Sequence, residues 1–356
     1  MPLIAFAGGG SAGHIAPSVS VAKVLKEERP DVDVYFVCST KPADREFIEK
    51  EGFNCSGIEA PRLSLTFPWK FFKAVKASKK ILKELNPDVL FSKGGYVSVP
   101  VAFAAKRMKI PIVMHESDAV SGRANRVVSK WADHVCYGLP TSLVASHLSF
   151  VRGRETRDER RETFVGNPIR ESVIQGKAEE GFRIAGLEGR SKSVIFIMGG
   201  SQGAEAINEF VKKHIDELLE VADVIHLTGK VKSGAGEHEG YYSLEFANEE
   251  YPHFFAASDL CISRAGANSI TELAANSVPT ILIPLRGVGH DHQQKNAELA
   301  SQSEGFTIVQ QSEMNEKLIP TINNILTNNL KPVTCNLYIP DATRQISKII
   351  LGYLES

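Results

Sequence analysis

Short apolar runs alternate with amphipathic helical stretches along nearly the whole chain. The runs are Leu3–Ala7, Val32–Val37, Val89–Ser92, Ile112–His115, His134–Tyr137, Val194–Met198, Val224–Leu227, Leu260–Ser263 and Thr280–Pro284. Strands that alternate with helices in this way form parallel sheets, because each helix carries the chain back to the starting edge. The pattern therefore predicts an α/β protein made of parallel strand–helix units.

A glycine-rich loop stands between a strand and a helix at two equivalent places. Gly8–His14 follows the first apolar run, and Gly199–Ala204 follows the run that ends at Met198. Ligands of parallel α/β proteins bind beyond the carboxyl ends of the strands. The repetition predicts two Rossmann-like domains that face each other across a central cleft, with one glycine loop from each domain at that cleft.

The connection between the domains is predicted from the charged stretch Arg152–Glu162 and the segment Phe164–Arg170 after it. Pro168 favours an extended conformation of Asn167, as suits a linker. We expect an N-terminal domain over 1–163, a C-terminal domain over 164–340 and a last helix over 341–356 that packs back on the N-terminal domain.

The segment Ser263–Glu272 ends a strand, turns through small residues around Gly266 and opens a helix at Asn268 or Ser269. Unpaired N–H groups and the helix dipole favour an anion at such a helix start. Glu272 lies one turn further on, where its carboxylate could accept hydrogen bonds from a diol such as ribose. With the amide-rich loop 286–296, these features predict a sugar-nucleotide site. An ordinary strand–turn–helix unit with a capped helix is the alternative.

The first glycine loop, Gly8–Gly13, also fits the G-x-G-x-x-G pattern of dinucleotide-binding proteins. That interpretation requires an acid at the end of the second strand, and Val37–Lys41 contains none, although Lys41 leaves an NADP-type site open. His14 follows the loop at a helix start, where the dipole disfavours the imidazolium ion. His14 is the candidate general base, and the alternative is a histidine that only shapes the loop.

The sequence offers no convincing metal site. Asp31-Val32-Asp33 resembles the D-x-D of metal-dependent sugar transferases, but it begins a strand, at the end away from the expected cleft. In His290-Asp291-His292, the aspartate is better explained as a helix N-cap. Without a metal, a departing nucleotide diphosphate would be stabilised by helix N-termini at Ser201–Ala204 and Asn268–Ser269, with Arg170 or Arg264 adding positive charge.

Residues 65–83 combine aromatic side chains with lysines, and no acidic residue lies among them. Such a helix suits the interface of an anionic membrane. The alternative is an amphipathic helix whose aromatic side chains belong to the core. The predicted membrane contacts are Phe67, Trp69, Lys70, Phe71, Phe72 and Lys73.

Composition narrows the class of protein. A chain of 356 residues can form two domains, and its net charge of −1 gives no general attraction for nucleic acid. Five cysteines without a C-x-x-C pair disfavour a zinc site or a disulfide framework and fit a reducing cytosol. An apolar strand begins at the third residue, which leaves no room for a signal peptide, and no run approaches the roughly 18 apolar residues of a membrane-spanning helix. We expect a cytosolic protein that is able to touch a membrane.

Seven motifs, in the same order, resemble those of the MurG family. They are Gly9–His14, Gly94–Ser98, His115–Asp118, Val165–Arg170, Gly199–Gly203, Ser263–Ala267 with Glu272, and Asp291–Gln293. The resemblance runs from the first strand to the last helix. It implies a GT-B fold and a membrane-associated enzyme of peptidoglycan synthesis on the cytoplasmic side. It also implies an inverting, metal-independent transfer of N-acetylglucosamine (GlcNAc) from UDP-GlcNAc to the 4-hydroxyl of undecaprenyl-diphospho-N-acetylmuramoyl-pentapeptide, without a cofactor.

The resemblance further implies roles for single residues, with His14 as the catalytic base. The residues expected to bind substrate are Ser11, Ala12, Gly13, Asp118, Arg170, Ser201, Ala247, Ala267, Asn268, Ser269, Ile270, Thr271, Glu272, Gln293 and Gln294. Residues 11–14 would lie by the acceptor diphosphate, Ser201 and 267–271 by the UDP diphosphate, Glu272 by the ribose, and the backbone near Ala247 by the uracil. Asp118, Gln293 and Gln294 would touch the GlcNAc ring.

Two positions depart from the family pattern. Many members carry G-G-T-G-G-H where this chain has Ser11 and Ala12, and many carry asparagine where Asp118 stands. A carboxylate at 118 accepts hydrogen bonds from a sugar but cannot donate them.

Several alternatives stay open. They are a related GT-B glycolipid glycosyltransferase with another sugar or acceptor, a UDP-GlcNAc 2-epimerase, and a non-catalytic scaffold for cell-wall enzymes. The expected partners are UDP-GlcNAc, the lipid-linked acceptor, an anionic membrane surface and other cell-wall enzymes, and no nucleic acid.

Overall fold

The computed structural model of the protein describes residues 1–9, 12–60, 67–140, 161–200, 203–230, 233–287, 291–328, 333 and 337–355, apart from the side chains of residues 12–14 and 67–68. These residues form two compact units. The first unit comprises Met1–Ile169 and Ile339–Ser356, and the second comprises Arg170–Tyr338.

A parallel sheet of seven strands lies at the centre of the first unit. Its strands are β1 (Leu3–Gly8), β2 (Asp33–Ser39), β3 (Asn54–Ile58), β4 (Val89–Gly94), β5 (Ile112–Glu116), β6 (His134–Tyr137) and β7 (Arg161–Phe164). Their order in the sheet is β3-β2-β1-β4-β5-β6-β7. The chain runs from β1 outward to β3 and then returns to the other side of β1 as β4, so the strand order reverses between β1 and β4.

Helices cover this first sheet. They are α1 (Ala12–Glu28), α2 (Pro42–Lys50), α3 (Phe67–Leu85), α4 (Ser98–Arg107) and α5 (Arg123–Val128). The C-terminal helix, Ala342–Gly352, belongs to the same unit. Its Ile346 and Ile350 are fully buried in one cluster with Val21 of α1, and its Ser347 Oγ donates a 2.7 Å hydrogen bond to Glu28 Oε2.

The second unit repeats the plan with a parallel sheet of six strands. They are β8 (Val194–Met198), β9 (Asp223–Leu227), β10 (Tyr241–Leu244), β11 (Leu260–Ser263), β12 (Thr280–Leu282) and β13 (Phe306–Ile308). The order is β10-β9-β8-β11-β12-β13, so the reversal lies between β8 and β11. The helices are α6 (Ala178–Ala185), α7 (Glu205–Lys213), α8 (Ile215–Val221), α9 (Tyr251–Ala256), α10 (Ala267–Ala275), α11 (His292–Ala300) and α12 (Met314–Thr327), with 3₁₀ turns at Glu171–Ile174 and Gln311–Glu313.

The predicted fold class of two Rossmann-like parallel sheets is confirmed, and each of the nine predicted strands is present. The domain boundaries differ from the prediction. The first unit extends to Ile169, because β7 completes the first sheet and the segment after it stays packed in that unit, and the chain re-enters the unit at Ile339 rather than at 341. The sequence analysis assigned β7 to the linker because its residues are mostly polar.

Candidate active site

The two loops singled out in the second unit lie side by side. Met198, the last residue of β8, pairs with Ser263, the last residue of β11. The glycine loop 199–203 and the turn 264–266 therefore leave neighbouring strand ends at the point where the strand order reverses. This is the position at which open parallel sheets bind ligands.

Helix α10 begins at this place. The helix begins at Ala267, slightly earlier than predicted, and its first backbone hydrogen bond runs from Ile270 N to Gly266 O at 2.9 Å. The N–H groups of residues 267–269 precede that bond, and Gly266 has no side chain to cap them. The backbone of Gly266 suits any residue (φ −70°), and a Cβ there would lie 3.7 Å from Ser269 Oγ, an ordinary contact. Among the described residues, the packing does not require glycine here, which favours a turn kept clear for a ligand.

The side chains of Ile270 and Thr271 do not face this turn. Ile270 is fully buried, and Thr271 Oγ1 donates to Ala267 O at 3.0 Å within the helix. The side chains of these two residues are therefore engaged within the unit, and Ile270 N already donates to Gly266 O.

Glu272, one turn into α10, is held by a neighbour that the sequence analysis missed. The hydroxyl of Tyr251 donates to Glu272 Oε2 at 3.0 Å and lies 3.4 Å from Met198 Sδ. Burial raises the pKa of the Glu272 carboxyl, and the hydrogen bond from Tyr251 and the positive charge of Arg170 lower it. The structure thus brings Arg170 into the electrostatic surroundings of Glu272, as a shared nucleotide site requires.

Arg264 is not available as a cationic contact for a ligand. Its Nη1 donates to Ile283 O at 3.0 Å and its Nη2 to Gln311 Oε1 at 2.7 Å, with 8% of the residue exposed. Asn296, fully buried on α11, donates from Nδ2 to Ala265 O at 3.1 Å. Both side chains fix the turn before α10 instead of extending into the site.

The amides of Gln293 and Gln294 already have partners in their own unit. Gln293 Oε1 accepts from Leu285 N at 3.0 Å. Gln294 is largely buried, and it accepts from Arg286 Nε at 3.3 Å and donates to Glu298 Oε1 at 3.1 Å. These bonds use one lone pair of Oε1 and one hydrogen of Nε2, so a sugar contact through Gln294 would use the second lone pair or the second hydrogen of the amide.

Asp291 does not cap α11 through its side chain. It stands in a left-handed conformation (φ 58°), and its Oδ1 accepts a 2.6 Å hydrogen bond from Gly287 N. Asp291 occupies the N-cap position of α11, as predicted, but its carboxylate bonds Gly287 N in the preceding loop and not an N–H group of the helix. His290 lies outside the described residues.

The second predicted helix N-terminus differs from the prediction as well. Helix α7 begins at Glu205, with Ala204 as its N-cap. The acidic residue in the first turn occupies the position where the dipole would attract an anion. Ser201 lies outside the described residues, so the start of α10 is the candidate diphosphate site among the described residues.

The predicted uracil contact of the second unit lies near the end of β10. Ala247 is buried after the end of β10, and its neighbour Phe246 exposes 44% of its surface. In the first unit, Ala12, Gly13 and His14 form the beginning of α1, but their side chains are not described, and Ser11 lies outside the described residues.

The ends of β4 and β5 carry a buried polar cluster, which we name the Lys93 cluster: Lys93, His115, Glu116, Ser117 and Asp118. Lys93 is 1% exposed; its Nζ lies 3.0 Å from His115 Nδ1 and also donates to Ser117 Oγ. His115 Nε2 lies 2.9 Å from Gly166 O. Because a carbonyl accepts only, Nε2 carries the hydrogen and Nδ1 accepts from the Lys93 ammonium group.

Glu116 is the second charged group of this cluster. Its Oε2 accepts from Asn125 Nδ2 at 2.9 Å, and its Oε1 accepts from Asp118 N at 3.0 Å. Burial, together with the charge of Asp118, raises the pKa of Glu116 to about 7, while Lys93 lowers it. A Cβ on Gly94 (φ +94°) would collide with the Asn125 amide, so glycine at this position lets Asn125 reach Glu116.

The predicted membrane residues lie on α3. Trp69 exposes 85% and Phe72 65% of their surfaces, and Lys70 and Lys73 are exposed beside them. Phe71 is partly buried against Phe103. The side chain of Phe67 is not described. Within the described ranges, no helix has the length and apolar character required to cross a bilayer.

No group of three or more His, Cys, Asp and Glu side chains in the described part of the chain could hold a metal ion. Asp31 pairs with Arg29 at 2.9 Å on the surface.

The raised pKa of Glu272 predicts a pH-dependent stability. Because the folded state binds this proton more tightly than the unfolded chain, the free energy of unfolding falls as the pH rises from about 4.5 to the folded pKa. Unfolding of Glu272→Gln, followed by calorimetry against pH, should lack this fall. Tyr251→Phe should enlarge it, because the hydrogen bond from Tyr251 lowers the pKa of Glu272. Glu249→Gln, at an exposed position, is the control, and equal pH slopes in all variants would contradict the assignment.

Comparisons with known proteins agree with this geometry. Residues 4–137 match the glycosyltransferase family 28 N-terminal domain, and residues 194–339 match the C-terminal domain of the same family. The structure is similar to the crystal structure of Acinetobacter baumannii MurG, with a TM-score of 0.72 and 24% identity over 98% of this chain and 99% of the other. A UDP-GlcNAc 2-epimerase from Methanocaldococcus jannaschii shares the fold at a TM-score of 0.65, with 14% identity over 99% of this chain and 100% of the other.

Two relatives carry the name UDP-N-acetylglucosamine–N-acetylmuramyl-(pentapeptide) pyrophosphoryl-undecaprenol N-acetylglucosamine transferase. The protein of Lachnoclostridium phytofermentans is 37% identical over 340 residues, which cover 92% of each chain. The protein of Clostridium botulinum (strain Hall) is 34% identical over 98% of this chain and 99% of its own. Similarity at this level over nearly the full length confirms the resemblance given by the seven motifs: the chain belongs to the MurG family of GT-B glycosyltransferases.

Proposed function

We propose that the protein transfers GlcNAc from UDP-GlcNAc to undecaprenyl-diphospho-N-acetylmuramoyl-pentapeptide, the step from lipid I to lipid II in peptidoglycan synthesis. The observation that carries the proposal is the full-length relationship to transferases whose name states this reaction. The epimerase alternative rests on neighbours that share the fold at 14% identity or less, and these are weaker support.

The second unit supplies the chemistry for a sugar nucleotide. The N-terminus of α10, where Gly266 provides no side-chain cap, would present backbone N–H groups and a partial positive charge to the diphosphate. Glu272 lies one turn further on, where its carboxylate would accept hydrogen bonds from the ribose hydroxyls. Arg170 adds positive charge near the same place. The preorganised dipole would stabilise the negative charge of departing UDP without a metal ion.

The experiment that tests this function measures UDP release from UDP-GlcNAc with and without a short-chain lipid-linked muramoyl-pentapeptide, in EDTA. Acceptor-dependent release that survives EDTA is expected. UDP release that requires Mg²⁺ as well as the acceptor would contradict the proposal that the transfer needs no metal ion. Tight UDP binding without acceptor-dependent release would indicate another acceptor or sugar.

We propose His14 as the base that takes the proton from the acceptor hydroxyl, since it lies in the first turn of α1 where the dipole favours a neutral imidazole. His14→Ala should lower kcat about 100-fold or more and leave the Kd of UDP-GlcNAc unchanged. Steady-state kinetics and calorimetry give the two values. An unchanged kcat would show that His14 is not the base. A Kd for UDP-GlcNAc that rises as kcat falls would show that His14 binds substrate instead.

Gly266→Ala tests the α10 turn. A methyl group fits within the unit, so the melting temperature should hardly change, but it would stand where the diphosphate approaches. We expect the Kd of UDP to rise about tenfold or more, since about 1.4 kcal/mol corresponds to that factor. Gly122→Ala is the matched control, because Gly122 is also a helix N-cap with φ −64° and no atom near an added Cβ. Equal UDP affinity in the Gly266 variant would place the diphosphate elsewhere.

We propose that the exposed aromatic and lysine side chains of α3 bind the cytoplasmic face of the membrane. Trp69→Ala with Phe72→Ala should weaken binding to phosphatidylglycerol vesicles about tenfold or more, because each buried aromatic side chain contributes roughly 1.5–3 kcal/mol. Phe164→Ala, also exposed in the first unit, is the control. Vesicle sedimentation gives the affinities, and equal binding by both variants would show that α3 is not the contact.

A further inference from the structure

The ammonium group of Lys93 is buried, and the proposed reaction does not by itself explain why. Its side chain is 1% exposed at the end of β4, where an ammonium ion loses nearly all hydration. A buried charge is tolerated only with hydrogen-bond partners and an opposite charge nearby. The Lys93 cluster must therefore provide both.

The hydrogen-bond partners of Lys93 are neutral. His115 uses its Nε2 hydrogen for Gly166 O, and burial together with the charge of Lys93 holds the pKa of His115 well below its usual value. Its Nδ1 therefore accepts from Lys93, as does the hydroxyl of Ser117. Neither group balances the charge.

The balancing charges come from two carboxylates of the next strand and its loop. Glu116 and Asp118 both favour the charged form of Lys93. They also repel each other, which raises the pKa of Glu116. One buried cation thus stands against two carboxylates that are two residues apart.

The same contacts fix the backbone that carries Asp118. Lys93 holds His115 and Ser117, Glu116 Oε1 accepts from Asp118 N, and Asn167 Nδ2 donates to Ser117 O at 3.2 Å. A change in the charge at position 93 would therefore alter the position of the whole segment 115–118.

We propose that Lys93 is a positioning residue, which holds the segment 115–118 in place and supplies the positive charge that allows a carboxylate at Asp118. This inference rests on the proposed function, because Asp118 is one of the proposed sugar contacts. Lys93 itself touches no substrate in this account. Its effect passes through the segment and through the charge of Asp118.

A double-mutant cycle of Lys93→Met and Asp118→Asn tests the coupling. Lys93→Met leaves two neighbouring carboxylates without their cation, so kcat/KM should fall about 100-fold. Asp118→Asn should cost less. The double variant removes one negative and one positive charge together but still loses the hydrogen bonds from Lys93 to His115 and Ser117. Its cost should therefore be well below the product of the two single costs, although not below that of Asp118→Asn alone. Lys50→Met, at an exposed position of the same unit, is the control.

The pH profile separates positioning by charge from packing alone. Burial lowers the pKa of Lys93 to about 8, so its ammonium form is lost above that pH. The other titratable groups that act on it are His115, Glu116 and Asp118. The kcat/KM of the unaltered protein should therefore fall as the pH rises through about 8, and the double variant should lack this limb.

Thermal unfolding provides a readout that needs no activity. Lys93→Met should lower the melting temperature by about 5 °C or more, and adding Asp118→Asn should restore most of it. The inference would be overturned if the double variant lost kcat/KM by the product of the two single losses and lost melting temperature by their sum. Coupled unfolding in a protein that transfers no GlcNAc would instead overturn the proposed function and leave the Lys93–Asp118 pairing standing.

Discussion

The matching of the partly buried Glu272 carboxylate by neighbouring groups is the constraint on which the candidate nucleotide site depends. A charge taken out of water must be matched within the protein, and here Tyr251 donates a hydrogen bond at 3.0 Å while Arg170 supplies positive charge. The carboxylate lies one turn after the N-terminus of α10, where Gly266 provides no side-chain cap. One helix therefore presents a donor set for a diphosphate at its tip and an acceptor for a diol just behind it.

In the first unit it is a positive charge, and not a negative one, that is removed from water and must be matched within the protein. A buried lysine replaces the partly buried glutamate, and carboxylates supply the opposite charge. In the first unit the charged groups lie at the carboxyl ends of β4 and β5, and β4 borders the point where the strand order reverses; in the second unit they lie near the carboxyl ends of β8 and β11, where the order reverses. Parallel sheets gather residues from distant parts of the chain at that edge, which explains why both clusters form there.

The sequence could predict the interior strands because a strand covered on both faces is a continuous apolar run. The four strands it did not predict, β3, β7, β10 and β13, are the edge strands of the two sheets. β7 reads Arg-Glu-Thr-Phe, and none of its residues is buried, so no apolar signal marks it. The turn around Gly266 and Glu272 could be singled out from the sequence because they lie in one short stretch of the chain.

The partners in space could not be found in this way. Tyr251 lies 21 residues before Glu272, and Lys93 lies 22 before His115, with no local pattern to join them. Asp44 gives a further example. The second strand lacks an acid at its end, yet the first turn of α2 brings Asp44 back to it, where Ser39 Oγ donates to the carboxylate at 2.5 Å. Such pairs depend on the sheet register and on helix packing, which are set by the whole fold.

A crystal structure of the protein with UDP-GlcNAc bound would show whether α10 holds the nucleotide. We expect diphosphate oxygens within hydrogen-bond distance of the N–H groups of residues 267–269, and ribose hydroxyls on Glu272 with Tyr251 still in contact. A nucleotide bound elsewhere, or a ribose that leaves Glu272 paired only with Tyr251, would contradict this expectation.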